Sequence, residues 1–324
     1  MGEIFMHSKE SQRYTLSAAT HLIIRSRHIV QLGLDATRAG LLEVYPVEAT
    51  QFIGVFLKAQ RQPFSLLELQ ENLLSLGFSK SRAVDLLSDL KAINHLVPVT
   101  APLKVLLLGH SPLAECINEL LIANNFSVNR PAPGCDDITA LEESAGRYPI
   151  IAVEKLAHTW WLAASVLKYA PTYIPVSLID TRGVIGPARI SGTGPCAVCV
   201  DLYRCAVDPE WYRLVAQSPA GPAFPDPLLV TVTAAYAVNS VARILKRPAL
   251  PTAVRDYSKL SISTADTAPV VLQFGGEQLV VDLDNGIKKT EIPMHPRCPH
   301  CGQQDGQRDR ASPKLSAGHR AGPS

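Results

Sequence analysis

Apolar residues recur with strand-like and helix-like periods along two separate stretches of the chain. Thr20–Arg25 and His28–Leu34 are β-branched or alternating runs, the second with Val30, Leu32 and Leu34 on one face, and predict a hairpin. After the polar turn Asp35–Arg38, the run Gly40, Leu41, Leu42, Glu43, Val44, Tyr45 predicts a third strand that stops at Pro46. Three amphipathic helices are expected next. Ala49, Phe52, Ile53 and Phe56 fall on one stripe. Ser65 and Glu68 have the spacing of a capping box, in which each side chain satisfies an exposed amide, and Gly77 closes that helix. A helix opening at Ser79 places Ala83, Leu86, Leu87 and Leu90 inside and Lys80, Arg82, Asp85, Asp89 and Lys91 outside. Leu96–Val99 returns as a wing-like segment.

Strands followed by helices, the last two in helix-turn-helix order, describe a winged-helix domain over residues 14–100. A DNA-reading helix carries excess positive charge, whereas the third helix here is mixed in sign. The same scaffold can instead bind a peptide that adds a strand to an exposed edge. The candidate peptide-binding residues are Gly40, Leu41, Leu42, Glu43, Val44 and Tyr45 on the edge, with Val84, Leu87 and Lys91 beside it. A DNA-binding regulator and a purely structural domain remain the other readings of this unit.

Over residues 101–302 the pattern changes to buried strands alternating with helices, a Rossmann-like α/β order. Pro102–Leu108 predicts a strand, followed by a glycine turn and a helix through Cys116–Leu121. Phe126–Arg130, Ile150–Val153, Tyr173–Ile179, Val184–Ile190, Val270–Phe274 and Gln278–Asp282 predict further strands, with helices over Trp160–Tyr169 and Leu228–Leu245. Trp160 and Trp161 are expected to pack. The turn after the first strand, Gly109-His110-Ser111-Pro112-Leu113-Ala114, sits where a G-x-G-x-x-G loop would bring backbone against phosphate. Only Gly109 remains: Ser111 and Ala114 replace the other glycines and Pro112 removes an amide. Arg130 stands where an acidic residue would hold a ribose. The strand-turn-helix pattern survives while the nucleotide chemistry does not, so ATP is not expected as a cofactor.

Composition fits this division. A chain of 324 residues, 47% hydrophobic and 19% charged, suits two domains. Residues 303–324 offer almost nothing to bury and are expected to form a disordered tail. Lys plus Arg total 31 against 29 for Asp plus Glu, a net charge of +2, too even to call for a nucleic-acid or anionic-membrane partner. No uninterrupted apolar run reaches the roughly 18 residues of a spanning helix, and Met1–Arg13 lacks a signal-peptide core, so a cytoplasmic location is expected.

Seven cysteines carry the clearest chemistry. Cys196 and Cys199 form one Cys-x2-Cys pair, Cys298 and Cys301 another, each flanked by Gly and Pro. Two such knuckles supply the four thiolates of a closed tetrahedral zinc site, which staples a fold and leaves no open position for catalysis. Two disulfides, or a redox dithiol at one pair, would use the same residues. Cys116 falls in an apolar helical pattern and reads as packing, while Cys135 and Cys205 have no assignment.

Ile185-Gly186-Pro187, Gly192 to Cys199, Asp201-Leu202-Tyr203-Arg204, Asp208-Pro209-Glu210-Trp211, the terminal knuckle, and Val30 to Asp35 together carry a resemblance. The chain resembles the ThiF-like partner proteins of YcaO-family cyclodehydratases, the leader-peptide-binding proteins of thiazole/oxazole-modified microcin biosynthesis. The resemblance implies a degenerate ThiF/MoeB-type domain behind the winged helix and a non-catalytic scaffold. Such a scaffold captures the leader of a ribosomally made precursor and presents it to a YcaO partner, which forms azoline rings. A homodimer is compatible with it. The departures at Ser111, Pro112 and Ala114, and the absence of a Ser-Asn-Leu-x-Arg-Gln run, separate the chain from the adenylating branch. An adenylating enzyme acting on a peptide or carrier-protein C-terminus is the alternative.

Overall fold

The computed structural model describes residues 12–18, 20–35, 39–218, 220–245 and 270–301. The expected tail over 303–324 lies outside them. The chain divides into two compact units that meet in sequence at Ala101 and Pro102.

The first unit contains two three-stranded sheets and three helices among its described residues. Strands β1 (Arg13–Leu16), β2 (Leu22–Ser26), β3 (Ile29–Leu32) and β4 (Gly40–Glu43) precede helix α1 (Ala49–Arg61). Then follow β5 (Phe64–Ser65), α2 (Leu66–Ser75), α3 (Lys80–Ala92) and β6 (Leu96–Pro98). The hairpin expected from alternation is β2 and β3, extended antiparallel by β4. The second sheet has the order β5-β1-β6. Strand β1 was not expected from periodicity, and it is the strand that Leu96–Pro98 pairs with. The helices form for local reasons. Ser65 Oγ accepts the Glu68 amide at 3.2 Å while Glu68 Oε2 accepts the Ser65 amide at 2.6 Å. Gly77 leaves α2 at φ +106°, a left-handed backbone that favours glycine. Phe52 and Phe56, with ring centroids 4.7 Å apart, join Leu69, Leu73, Leu86, Leu87 and Leu90 in the core.

The second unit is built on a seven-stranded sheet. Its elements are β7 (Leu103–Leu108), α4 (Pro112–Ala123), β8 (Phe126–Asn129), α5 (Asp137–Ser144), β9 (Ile150–Val153), α6 (Thr159–Tyr169), β10 (Tyr173–Ile179) and β11 (Arg182–Ile185). They continue with α7 (Ala197–Val207), α8 (Trp211–Val215), α9 (Pro227–Ile244), β12 (Glu277–Asp282) and β13 (Gly286–Glu291). The order is β13-β12-β11-β10-β9-β7-β8, parallel from β8 to β10 and antiparallel beyond. Both faces of the parallel part are covered, which explains the unbroken apolar run of β7. Val105 and Leu107 pack with residues of α4 and α9, and Leu106 and Leu108 with residues of α5 and α6. Helix α9 is long and apolar enough to cross a membrane by length and composition; here half of it is buried, packed against α4 and β11.

Three expectations change. Val184–Ile190 does not continue as a strand, because Gly186 turns at φ +89° and Pro187 follows it. Val270–Phe274 is not a strand: the amides of Gln273 and Phe274 are taken by the Glu277 carboxylate, and that of Leu272 by Ser240 Oγ. Trp160 and Trp161 do not pack inside; they are 42% and 53% exposed. Helices α5 and α7 and strand β13 were not expected, although Asp136 caps α5 through its carboxylate and Asn285-Gly286 is a hairpin-turn dipeptide.

Gly183 of β11 lies against α9, where an added Cβ would stand 1.9 Å from Thr233 Oγ1, a buried hydroxyl without a partner. Gly183→Ala is expected to destabilise the protein by about 1–3 kcal/mol through overpacking. Thr233→Ala in the same chain should recover most of that loss, and urea unfolding of the two single variants and the double variant measures the coupling.

Candidate functional site

The two cysteine knuckles, distant in sequence, meet in one place. Cys196 is the residue before α7 and Cys199 lies in its first turn, with the Cys199 amide donating to the Cys196 carbonyl at 3.0 Å. In the second knuckle the Cys298 amide donates to the His295 carbonyl at 2.9 Å. The sulfurs of Cys196 and Cys199 are 3.8 Å apart, those of Cys196 and Cys298 3.5 Å, and those of Cys199 and Cys301 3.6 Å. All four lie within 4.8 Å of one another and all four residues are buried. Sulfurs on a tetrahedron at about 2.3 Å from a central ion would be roughly 3.8 Å apart. A disulfide needs about 2.05 Å, and every described cysteine is free, so the disulfide reading falls. Hydrogen bonds from Cys196 and Cys199 pull the Cys301 thiol down towards the thiolate that a metal takes, and the same sharing pushes Cys196 up. The buried four-cysteine cluster can hold a metal ion.

The strand order reverses between β7 and β9, and such a switch point is where open α/β sheets bind ligands. Gly109 ends β7 at φ +115°, and an added Cβ would come 2.6 Å from the Val153 carbonyl. Ser111 Oγ accepts the Ala114 amide, one of the amides that a phosphate would otherwise use. Pro112 occupies the first turn of α4. Arg130, just past β8, folds back over this loop. Its Nη1 donates to both carboxylate oxygens of Glu115, at 2.8 and 2.7 Å, and its Nη2 donates to the Gly109 carbonyl and lies 3.2 Å from His110 Nδ1. A guanidinium and a carboxylate of the protein thus fill the mouth of the loop.

Glu154 follows β9 at φ +54° and is 5% exposed. Its Oε1 accepts the Leu178 amide at 3.0 Å, and its carboxyl lies against Gly221, where a Cβ would stand 2.5 Å from the carboxyl carbon. Burial pushes its pKa up to about 7. A second group of polar residues lies near the cysteines. Asp201 is 1% exposed at its side chain; Oδ1 accepts from Trp211 Nε1 at 3.0 Å and Arg204 Nη1 at 3.4 Å. Burial pushes the Asp201 carboxyl up against the pull of these donors. The cavity it lines with Thr159, Tyr173 and Ser177 holds about 30 Å³, room for a water or two and not for a nucleotide. Neither Glu154 nor the Asp201 cluster was singled out from sequence as a site; an acidic residue at the end of a parallel strand was the available signal for the first.

In the first unit the candidate peptide residues separate into groups. Among the described residues, strand β4 pairs only with β3. The Val44 amide donates to the His28 carbonyl at 2.8 Å, so the alternation of an antiparallel ladder turns Gly40 and Leu42 towards β3 as well. Leu41 and Glu43 therefore present their amides and carbonyls to the open edge. Leu41, Tyr45 and Val84 are 47%, 62% and 46% exposed. Val44 and Leu87 are core residues. Lys91 stands over the Tyr14 ring at 5.3 Å. Arg82, at the start of α3, donates from Nη2 to the Glu43 carbonyl at 2.9 Å.

No family model matches the chain, and no curated protein matches it in sequence. Its fold does match solved structures. The heterocyclase TruD has a TM-score of 0.54 at 13% identity, covering 95% of this chain and 45% of that one. A heterocyclase in complex with substrate and cofactor has a TM-score of 0.55 at 13% identity, covering 95% and 42%. E. coli MccB with ATP has a TM-score of 0.46 at 15% identity, covering 90% and 100%. The chain spans less than half the length of the two heterocyclases whose fold it shares.

Glu154 sets a pH test. Its pKa in the folded state, about 7, lies above the ordinary carboxyl value of 4.5, so folding takes up a proton between those values and stability falls as pH rises through them. Glu154→Gln keeps the acceptor without the charge. It is expected to be more stable than the wild type at pH 8 by roughly 3 kcal/mol at most, from about 1.36 kcal/mol per pKa unit, and to lose that advantage near pH 4.5. Urea unfolding at both pH values checks this; a difference that does not change with pH contradicts it.

Proposed function

We propose that this chain is the non-catalytic, leader-binding scaffold of a cyclodehydratase, working with a separate YcaO-family partner that forms azoline rings on a precursor peptide. The observation that carries this reading is the edge of β4, which no other described strand pairs with and where the amides and carbonyls of Leu41 and Glu43 face outward beside the exposed side chains of Leu41, Tyr45 and Val84. An extended peptide added there gains backbone pairing for affinity and side-chain contacts for choice. In this reading the first unit is a winged-helix peptide-recognition domain. The second is a degenerate ThiF/MoeB-type domain whose four cysteines hold a structural zinc.

A non-catalytic role is supported by the loop after β7, where Arg130, paired with Glu115, lies on the Gly109 carbonyl. Leu87 belongs to the core, so the groove wall on α3 is formed by Val84 and its exposed neighbours.

Metal analysis of the purified chain should find about one zinc per chain, the stoichiometry of a four-sulfur site, and Cys301→Ser should lose both metal and resistance to unfolding. A stable, zinc-free protein would remove the metal from the reading. Calorimetry with Mg-ATP should show no binding at sub-millimolar nucleotide; a micromolar signal would favour the adenylating enzyme instead. The peptide claim is tested by fluorescence-polarisation binding of a labelled leader from a neighbouring precursor gene. Leu41→Pro is the informative variant, because it removes an outward amide, whereas Leu42→Pro would break the pairing with β3. Folded Leu41→Pro protein should bind about two- to tenfold more weakly, on the order of one lost backbone hydrogen bond.

A further inference from the structure

Resting on the strand-addition reading, a single side chain defines the chemistry of the peptide that fits. An edge strand needs partners for its outward groups, and one of them is already engaged: the Glu43 carbonyl accepts Arg82 Nη2 at 2.9 Å. A carbonyl oxygen has two lone pairs, so this contact leaves room for an incoming amide. A guanidinium has five N–H donors, and this contact uses one of them. Among the described residues no carboxylate lies within the 4.0 Å of an ion pair with Arg82; Asp85, one turn along α3, does not reach it. Arg82 is exposed. A cationic fork is therefore anchored on the edge itself, unpaired, at the register of Glu43.

We propose that Arg82 reads an acidic side chain of the docked peptide: the strand added to β4 carries Asp or Glu within reach of Arg82, held by the free N–H groups of a guanidinium that stays on the Glu43 carbonyl. Planar forked donors match carboxylates better than an ammonium does, so lysine would be a partial substitute. The competing role is that of an edge guard, in which a charged side chain merely discourages pairing with other chains.

A display library of short peptides that alternate apolar and randomised positions separates these roles, selected on the full chain and read out by affinity of individual peptides. The wild type is expected to enrich Asp or Glu at one randomised position. Arg82→Gln, its fold checked by circular dichroism, should weaken the best acidic peptide on the order of fivefold while leaving its Gln-substituted counterpart unchanged, and Arg82→Lys should retain part of the preference. Leu41→Pro should weaken the acidic and neutral peptides together. No acidic preference in the wild type, or the same preference in Arg82→Gln, overturns the role of Arg82 while leaving strand addition standing. Self-association of Arg82→Gln with unchanged peptide choice identifies an edge guard only. Selected peptides that bind Leu41→Pro as well as the wild type overturn docking at this edge and the role of Arg82 with it.

Discussion

Four sulfurs within 4.8 Å of one another, two at the start of α7 and two at the end of the described chain, are the contact on which the second unit depends. Between them the chain passes through α7, α8 and α9 before returning as β12 and β13. Joining the ends of so long a loop costs conformational entropy, and a metal held by the four thiolates would offset it from one point. The tie also fixes the antiparallel half of the sheet. Gly276 sits between the first knuckle and β12, its amide on the Ala188 carbonyl and the Ile292 amide on its own carbonyl. Gly194 lies so close that a Cβ there would stand 2.8 Å from Gly276 N.

Away from that tie, the protein satisfies several of its own polar groups with its own side chains. Arg130 and Glu115 neutralise each other at the switch point. Ser111 takes a helix amide, and the Glu277 carboxylate takes the two amides of Gln273 and Phe274 while pairing with Lys289 at 2.6 Å. Each is a strong acceptor or donor spent internally, and each lowers what that surface has left for a ligand. The edge of β4 contrasts with these. There the backbone remains open, and the side chain that touches it is a cation with donors to spare.

Two of the sheet edges are managed differently. Strand β13 is exposed at every residue but Ile287 and carries Lys288 and Lys289, charged residues that discourage pairing with another chain. Strand β4 carries Leu41 in an exposed position, and Tyr45, two residues past its end, is exposed as well. An apolar edge is a hazard unless something covers it for part of its life, which is the physical case for a peptide ligand at this place.

Features encoded within a few residues were legible in the sequence. The Ser65–Glu68 box, the stop at Gly77, the inner stripe of α3 and the apolar run Val105–Leu108 of β7 follow from spacing alone, because caps and periodicity act over one or two turns. The paired Cys-x2-Cys knuckles likewise announced their ligand number. What the tertiary structure decided was every meeting of distant residues. Spacing did not tell Leu87 in the core from Val84 outside, nor show that Val270–Phe274 would give its amides to Glu277, that Arg130 would lie over Gly109, or that Arg82 would reach Glu43. Those contacts depend on how whole elements pack, and an exposed polar residue in a sequence carries no record of which backbone it will come to face.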